Sequence, residues 1–388
     1  MQQILRKILN IPRCLTPAPT PAPPKIILAP DAQSGDGFGW SVSTNGENDI
    51  VGAPYNDEGV PIYIFSKNGS FEEKVITYDG TSADPLVTST AISKNFVVVG
   101  AWSQFESVGG EEGEGAYIVP LNDSSAMVRV APEEDEGFGR RVAIAGNIVA
   151  IGAHLAPNID SETGSFSIGA VYFYATDGTF IEKVSSPDSS VAELEDRFGW
   201  SVAMTDDVIV VGAPGHNDFT GAAYVFNTED REFVTKIVPL DGAEGAWFGG
   251  NVAVHGNTIV VGGTDMVLDA ANYYANEFGR ATYIYSLDGT LIQQIMASDF
   301  DADFIGFRVA VSENVVVTVG GVLPAGGEID FKNLSVYLFT KEGEFIEKID
   351  APDDEAVMFG YDVSIEGNRL VVGAPAFPET GAAYLYLI

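Results

Sequence analysis

Aromatic, histidine and acidic side chains gather in the turn-rich connections of this chain: Trp102, Phe105, His154, His216, Asp218, Phe219, Asp265, Tyr273, Tyr274, Asp330 and Phe377. Broad amphipathic rings beside carboxylates suit two kinds of contact, anchors in a protein interface and stacking on the faces of sugars. The same rings can also pin their own loops, and His154 and His216, lacking a sequence partner, read as ordinary surface residues. Trp40, Trp200 and Trp247 sit against a recurrent Phe-Gly pair and read as structural packing. Asp299, Asp301 and Asp303 have the alternation of a calcium loop, but Phe304 stands where such a loop needs glycine, and calcium prefers six to eight oxygen ligands. That segment is expected to be an acidic connection in water, with no cofactor required and calcium its weak alternative. The chain has no Gly-x-Ser-x-Gly elbow, phosphate loop, His-Glu-x-x-His or cysteine pair, so no enzymatic activity is expected.

Charge narrows the partners. With 55 acids against 20 bases the formal charge is -35, which repels phosphate backbones and anionic lipid and argues against nucleic-acid or direct membrane binding. No apolar run approaches a membrane span. Cys14 is the single cysteine, so no internal disulfide can form. Residues 1–11 are interrupted by Arg6 and Lys7 and read as no intact signal peptide. The following Thr16 to Pro24 stretch alternates proline with small residues and is expected to be an extended spacer. The sequons at Asn68, Asn122 and Asn333 are close to the number chance would give.

The elements that must position these side chains come from a repeat. Seven times a Phe-Gly pair, an alternating strand, a wholly apolar strand ending in Gly-Ala or Gly-Gly, and an aromatic strand follow one another. The second glycine falls at Gly52, Gly100, Gly152, Gly212, Gly262, Gly320 and Gly373, a period of 48 to 60 residues. A period of this size signals a solenoid, an array or a propeller. Tight turns such as Gly146-Asn147, Asp206-Asp207, Gly256-Asn257 and Gly367-Asn368 join the first two strands, and these residue types tolerate the positive φ of two-residue hairpins. A second hairpin, tipped by Asn68-Gly69, Asp177-Gly178, Asp288-Gly289 or Glu342-Gly343, leads to a mixed polar fourth strand suited to an outer edge. Four antiparallel strands in each of seven repeats predict an all-β, seven-bladed β-propeller over residues 25–388, preceded by a flexible segment over residues 1–24. The last repeat stops at its third strand, and Lys25 to Asp31 matches the fourth strands elsewhere. The N-terminal strand is therefore expected to complete blade seven.

These residues resemble the FG-GAP repeat family, the unit of the integrin α-subunit propeller. Phe-Gly is intact at Phe38-Gly39, Phe138-Gly139, Phe198-Gly199, Phe248-Gly249 and Phe359-Gly360, and becomes Leu86-Val87 in repeat two and Ile305-Gly306 in repeat six. Gly-Ala-Pro survives at Gly52, Gly212 and Gly373. The two glycine positions stand 13 residues apart in six repeats and 14 in the sixth. Family members carry calcium loops between the first and second strands; here that connection is a tight turn throughout, so their calcium role is not carried over. The resemblance implies a binding or adhesion module outside the cell, at the cell surface or beyond it.

In such a propeller the connections after strand two and between blades share one face, opposite the short hairpins. That face is where the repeats differ most, and binding surfaces are built where a scaffold leaves freedom. The expectation is a protein or glycan ligand held there without catalysis. The alternatives are a structural part of a larger assembly and a polysaccharide-active propeller enzyme.

Overall fold

The computed structural model describes residues 23–56, 60–77, 86–102, 115–132, 137–156, 168–188, 196–239, 246–263, 281–322, 334–352, 356–375 and 380–388. Their strands form seven four-stranded antiparallel sheets over residues 41–76, 86–130, 138–185, 201–237, 251–296, 304–350 and 363–387, here blades one to seven. Blade seven takes its fourth strand from Lys25–Ile27, which pairs antiparallel with Ala382–Leu387 in the register Lys25 to Leu385 and Ile27 to Ala383. The ring is thus closed by the start of the chain, as its sequence match to the other outer strands predicts.

Each blade is graded from inside out. The first strand of every blade neighbours the first strands of both adjacent blades, so seven first strands ring the axis. Second strands are buried on both faces: every residue of Val208–Ala213 is buried. Fourth strands are half exposed, as in Phe180–Ser185. Burial peaks in the second and third strands, packed between neighbouring blades, while the first strands are partly open at the axis and the fourth strands form the exposed rim.

The motif glycines explain their own spacing. Within a blade the Phe-Gly glycine donates its N–H to the carbonyl of the Gly-Ala glycine, at 3.1 Å for Gly199 to Gly212 and 2.9 Å for Gly360 to Gly373. The 13-residue interval is therefore a hairpin register. Between blades the contact is tighter still. A Cβ on Gly152 would lie 2.0 Å from the Gly199 carbonyl oxygen, and one on Gly373 would lie 2.0 Å from that of Gly39. Only glycine admits so close a backbone approach.

The motif phenylalanine is the apolar peg of each blade. Phe198 is fully buried and lies 5.5 and 5.9 Å from the third-strand rings Tyr224 and Phe226 in edge-on contacts. Phe38, Phe138, Phe248 and Phe359 repeat this arrangement. Blade six, where the motif reads Ile305-Gly306, fills the slot with Phe300, 5.8 and 5.2 Å from Tyr337 and Phe339.

The turns differ from expectation in one respect. Gly146, Gly256 and Gly367 have positive φ, but the residue after each does not, and neither Asp206 nor Asp207 does. Blade four instead closes its hairpin with the Thr205 hydroxyl, which accepts the N–H groups of Asp207 and Val208 at 3.3 and 3.1 Å. Among the described residues no helix is long and apolar enough to cross a membrane.

Candidate functional site

One backbone position singles out the face carrying the blade-to-blade connections. Among the described residues, the one immediately before the motif phenylalanine is left-handed in five blades: Gly37 at φ 69°, Gly137 at 68°, Arg197 at 57°, Trp247 at 53° and Met358 at 63°. Glycine takes this conformation without cost, whereas any other residue is strained by roughly 1–2 kcal/mol. Three blades accept that cost, and two of them use it to place Arg197 and Trp247 in one cluster.

The cluster alternates cations and rings across blades two to five. The Arg140 guanidinium carbon lies 3.6 Å from the centroid of the Trp200 ring and 5.5 Å from that of Trp102. Arg197 stands 5.3 Å from Trp200, 5.3 Å from Phe219 and 5.2 Å from Trp247. Phe219 stacks on Trp247 at 5.1 Å with 26° between the planes. Such contacts contribute about 0.5–1 kcal/mol each where exposed and more where water is excluded. A second arc continues around the axis, where Tyr361 meets Trp40 at 4.5 Å and Phe307 at 6.0 Å, with Arg308 4.3 Å over Phe307. Trp40, Arg140, Trp200, Phe307 and Tyr361 all directly follow the second residue of their motif, which puts them at the start of the innermost strands.

His154 is not the surface residue its sequence context predicts. It is 2% exposed, with Trp102 5.0 Å away on one side and Trp200 4.9 Å away on the other, both edge-on. Burial, together with the nearby Arg140 and Arg197 charges, holds its imidazole neutral, well below the ordinary histidine range. It serves as a spacer between two indoles.

His216 is likewise partnered. Its Nδ1 lies 3.3 Å from Asp196 Oδ1 and its Nε2 2.7 Å from Lys236 Nζ. Lys236 also donates to Asp188 Oδ2 at 2.6 Å, and Tyr224 donates its hydroxyl to the same oxygen at 2.9 Å. The Lys236 hydrogen bond is the main cause holding the Asp188 carboxyl below its usual range, and burial pushes the Tyr224 phenol up. The clip between Asp188, at the exit of blade three, and Tyr224 and Lys236 of blade four recurs at blade one. There Tyr63 and Lys74 donate to Asp31 at 2.8 and 2.6 Å.

Of the residues chosen from sequence, Trp102, His154 and Phe219 are joined through Arg140, Trp200, Arg197 and Trp247. His216 begins the turn that carries Phe219, and Asp218 lies within it at φ 55°. Phe105, Asp265, Tyr273, Tyr274, Asp330 and Phe377 fall outside the described residues. Asp299 ends a single 3-10 turn, Asp301 is left-handed at φ 53°, and Asp303 donates its N–H to Gly321. Among the described residues no group of three or more His, Cys, Asp or Glu side chains comes together to hold a metal ion. Sequence reasoning passed over Arg140 and Arg197. The available signal was the residue before the motif phenylalanine, where glycine in two repeats gives way to arginine, tryptophan and methionine.

The FG-GAP repeat family matches residues 25–65, 189–226, 232–272 and 345–386. No curated protein matches the chain. Among solved structures, the crystal structure of the RRP9 WD40 repeats superposes with a TM-score of 0.59 at 9% sequence identity, covering 95% of this chain and 99% of that one. At this identity the likeness is one of fold, a ring of four-stranded blades. The chain is a seven-bladed β-propeller that matches the FG-GAP repeat at four positions.

Proposed function

We propose that this propeller is a non-enzymatic binding module that holds a protein or glycan ligand on the face formed by its blade-to-blade connections, and that it works outside the cell. The observation that carries this reading is the left-handed Arg197 and Trp247, residues that strain the backbone where other repeats place glycine. Strain of this kind persists where a site uses it. Here it holds a guanidinium and an indole among Trp200 and Phe219, side chains of the types that anchor interfaces and stack on sugars. The extracellular setting draws support from the occurrence of FG-GAP repeats in extracellular proteins.

The test is a panel of immobilised glycans and candidate proteins probed with the native chain and with Trp247→Gly and Phe219→Ala. Binding that falls at least tenfold in both variants, while their melting temperatures stay near the native value, is the expected result. Undiminished binding in both would move the site elsewhere. Turnover of any bound polysaccharide would overturn the non-enzymatic reading.

A further inference from the structure

We propose that the seam between blades one and two, where their innermost strands meet, binds internal water held by three hydroxyls. Ser41, Ser43 and Thr90 are 0%, 6% and 9% exposed, and the hydroxyl oxygen of each is enclosed by protein without a hydrogen-bond partner. A buried hydroxyl in that condition costs free energy unless something completes it.

Register brings the three together. Ser43 lies opposite Ile50 in the blade-one hairpin, so the two side chains share a face, and Ser41 two residues earlier lies on it too. Ile50 packs in one cluster with Val97, Val99 and Tyr117 of blade two, which makes this the face toward blade two. Thr90 shares a face with Ile92, which packs against that same cluster, so its hydroxyl looks back toward blade one. The inner strands Ser41–Thr44 and Leu86–Ile92 are direct neighbours.

Other seams are apolar at the matching positions. Opposite the residue before the Gly-Ala glycine stands valine in blades one, three, four, five and seven (Val42, Val142, Val202, Val252 and Val363), whereas blade two has Thr90. One residue further along the first strand stands alanine in blades two to five (Ala91, Ala143, Ala203 and Ala253), whereas blade one has Ser43. Two apolar positions have thus become polar on the two sides of a single seam.

Ser41 shows what the water replaces. Its counterpart in blade four is Ser201, opposite Gly212 as Ser41 is opposite Gly52, and the Ser201 hydroxyl donates at 2.7 Å to the carbonyl of Gly249, the Phe-Gly glycine of blade five. Blade two has Leu86-Val87 in place of Phe-Gly, and its hairpin register slips between Val87 and Ser89. The Ser41 hydroxyl makes no such bond. Water both gives and accepts protons, and a buried molecule typically makes about three hydrogen bonds to groups otherwise unsatisfied. Here it ties the two inner strands where a glycine carbonyl does so between blades four and five.

High-resolution diffraction and melting midpoints of the intact chain, of Thr90→Val and of Ser43→Ala test this, since the two variants install the residues of the other seams. The expected result is solvent density within hydrogen-bond distance of the Thr90 hydroxyl and of a blade-one serine hydroxyl, weakened or lost in both variants. Each midpoint should fall by roughly 1–2 °C, the scale of one lost hydrogen bond in a chain of this size. The double variant should lose less than the sum, because both changes release the same water. Dry hydroxyls would give the opposite sign, since removing one relieves its unmet cost, so midpoints raised in both variants would overturn the proposal. So would an absence of density between the strands, or a strong anomalous peak there after exchange into rubidium, which would make the guest a cation.

Discussion

The seam between blades seven and one and the seam between blades three and four occupy equivalent places in the ring, yet they are filled with opposite chemistry. At the first, Arg369 donates Nε–H to Asp49 Oδ1 at 2.8 Å and a second N–H to Oδ2, a two-pronged pair with both side chains buried. The pair is reinforced by Val42 N–H to Asp362 Oδ2 at 2.8 Å and Thr44 N–H to the Ser364 hydroxyl at 3.1 Å. At the second seam the counterpart of Asp49, three residues before the Gly-Ala glycine, is Ile209, and the counterpart of Arg369, four before it, is Ile148. These two belong to one apolar cluster. The backbone approach is the same at both seams: a Cβ on Gly373 or on Gly152 would lie 2.0 Å from the facing glycine carbonyl oxygen. One architecture therefore accepts either a desolvated ion pair or a pair of isoleucines at the same point. A buried pair recovers its desolvation cost only through good geometry, and its best-attested use is to specify one arrangement among several. Ring closure, where the two ends of the chain must find each other, is the place in this fold that needs such specification.

The largest expected effect breaks this contrast directly. Asp49→Ala, leaving the Arg369 charge buried alone, should cost about 3–5 kcal/mol in urea unfolding monitored by tryptophan fluorescence. Installing the other seam's solution with Asp49→Ile and Arg369→Ile together should bring stability back to the native level or above it. A double variant as weak as the single would show that the charges supply net stability rather than specificity.

A smaller change sharpens the contrast on the loop face. Gly37→Arg places in blade one what blade four carries at Arg197, but its Cβ meets Tyr55 at 3.0 Å and the left-handed backbone loses its glycine. A loss of about 1–2 kcal/mol is expected in the same unfolding measurement. An unchanged stability would mean that the position tolerates any residue, which would remove the argument that Arg197 and Trp247 are held there at a cost.

The smallest effect should be the same at both seams, because the clip from Tyr and Lys to Asp is shared. At Asp31 burial pushes the carboxyl up, but the hydrogen bonds from Lys74 and Tyr63 outweigh it and the net shift is downward. At Asp188 the Lys236 hydrogen bond leads, and the net shift is also downward. A carboxyl lowered in the folded state adds stability that is present above its unfolded value of about 4 and is lost as pH falls through the folded value. Asp31→Asn and Asp188→Asn should each lose under about 1 kcal/mol near neutral pH, the clip being partly exposed, and should converge with the native protein toward about pH 2. A gap that widens in acid would reverse the assigned sign.

Blade six shows how far the repeat could be read before folding. Ile305-Gly306 looks like a degraded motif, and nothing in its spacing announces that Phe300, five residues earlier, takes the aromatic slot against Tyr337 and Phe339. His154 makes the same point from the other side: one histidine after an apolar strand gives no sign that two indoles, one from the preceding blade and one from the next, enclose it.

What the sequence alone determined is the ring: seven blades of four strands, their order, the outer edge, and closure by the N-terminal strand. Those properties rest on alternation, glycine turns and the 13-residue hairpin register, all of them local along the chain, so they survive drift in individual letters. What only the tertiary structure decided is which side chains meet. Arg140 reaches Trp200, Arg197 reaches Trp247, His216 reaches Lys236 and Arg369 reaches Asp49 across gaps that period and composition do not encode. The backbone hand at one position, the packing of strands within a blade and the approach of the neighbouring blade set those contacts, and each exists only once distant parts of the chain have folded together.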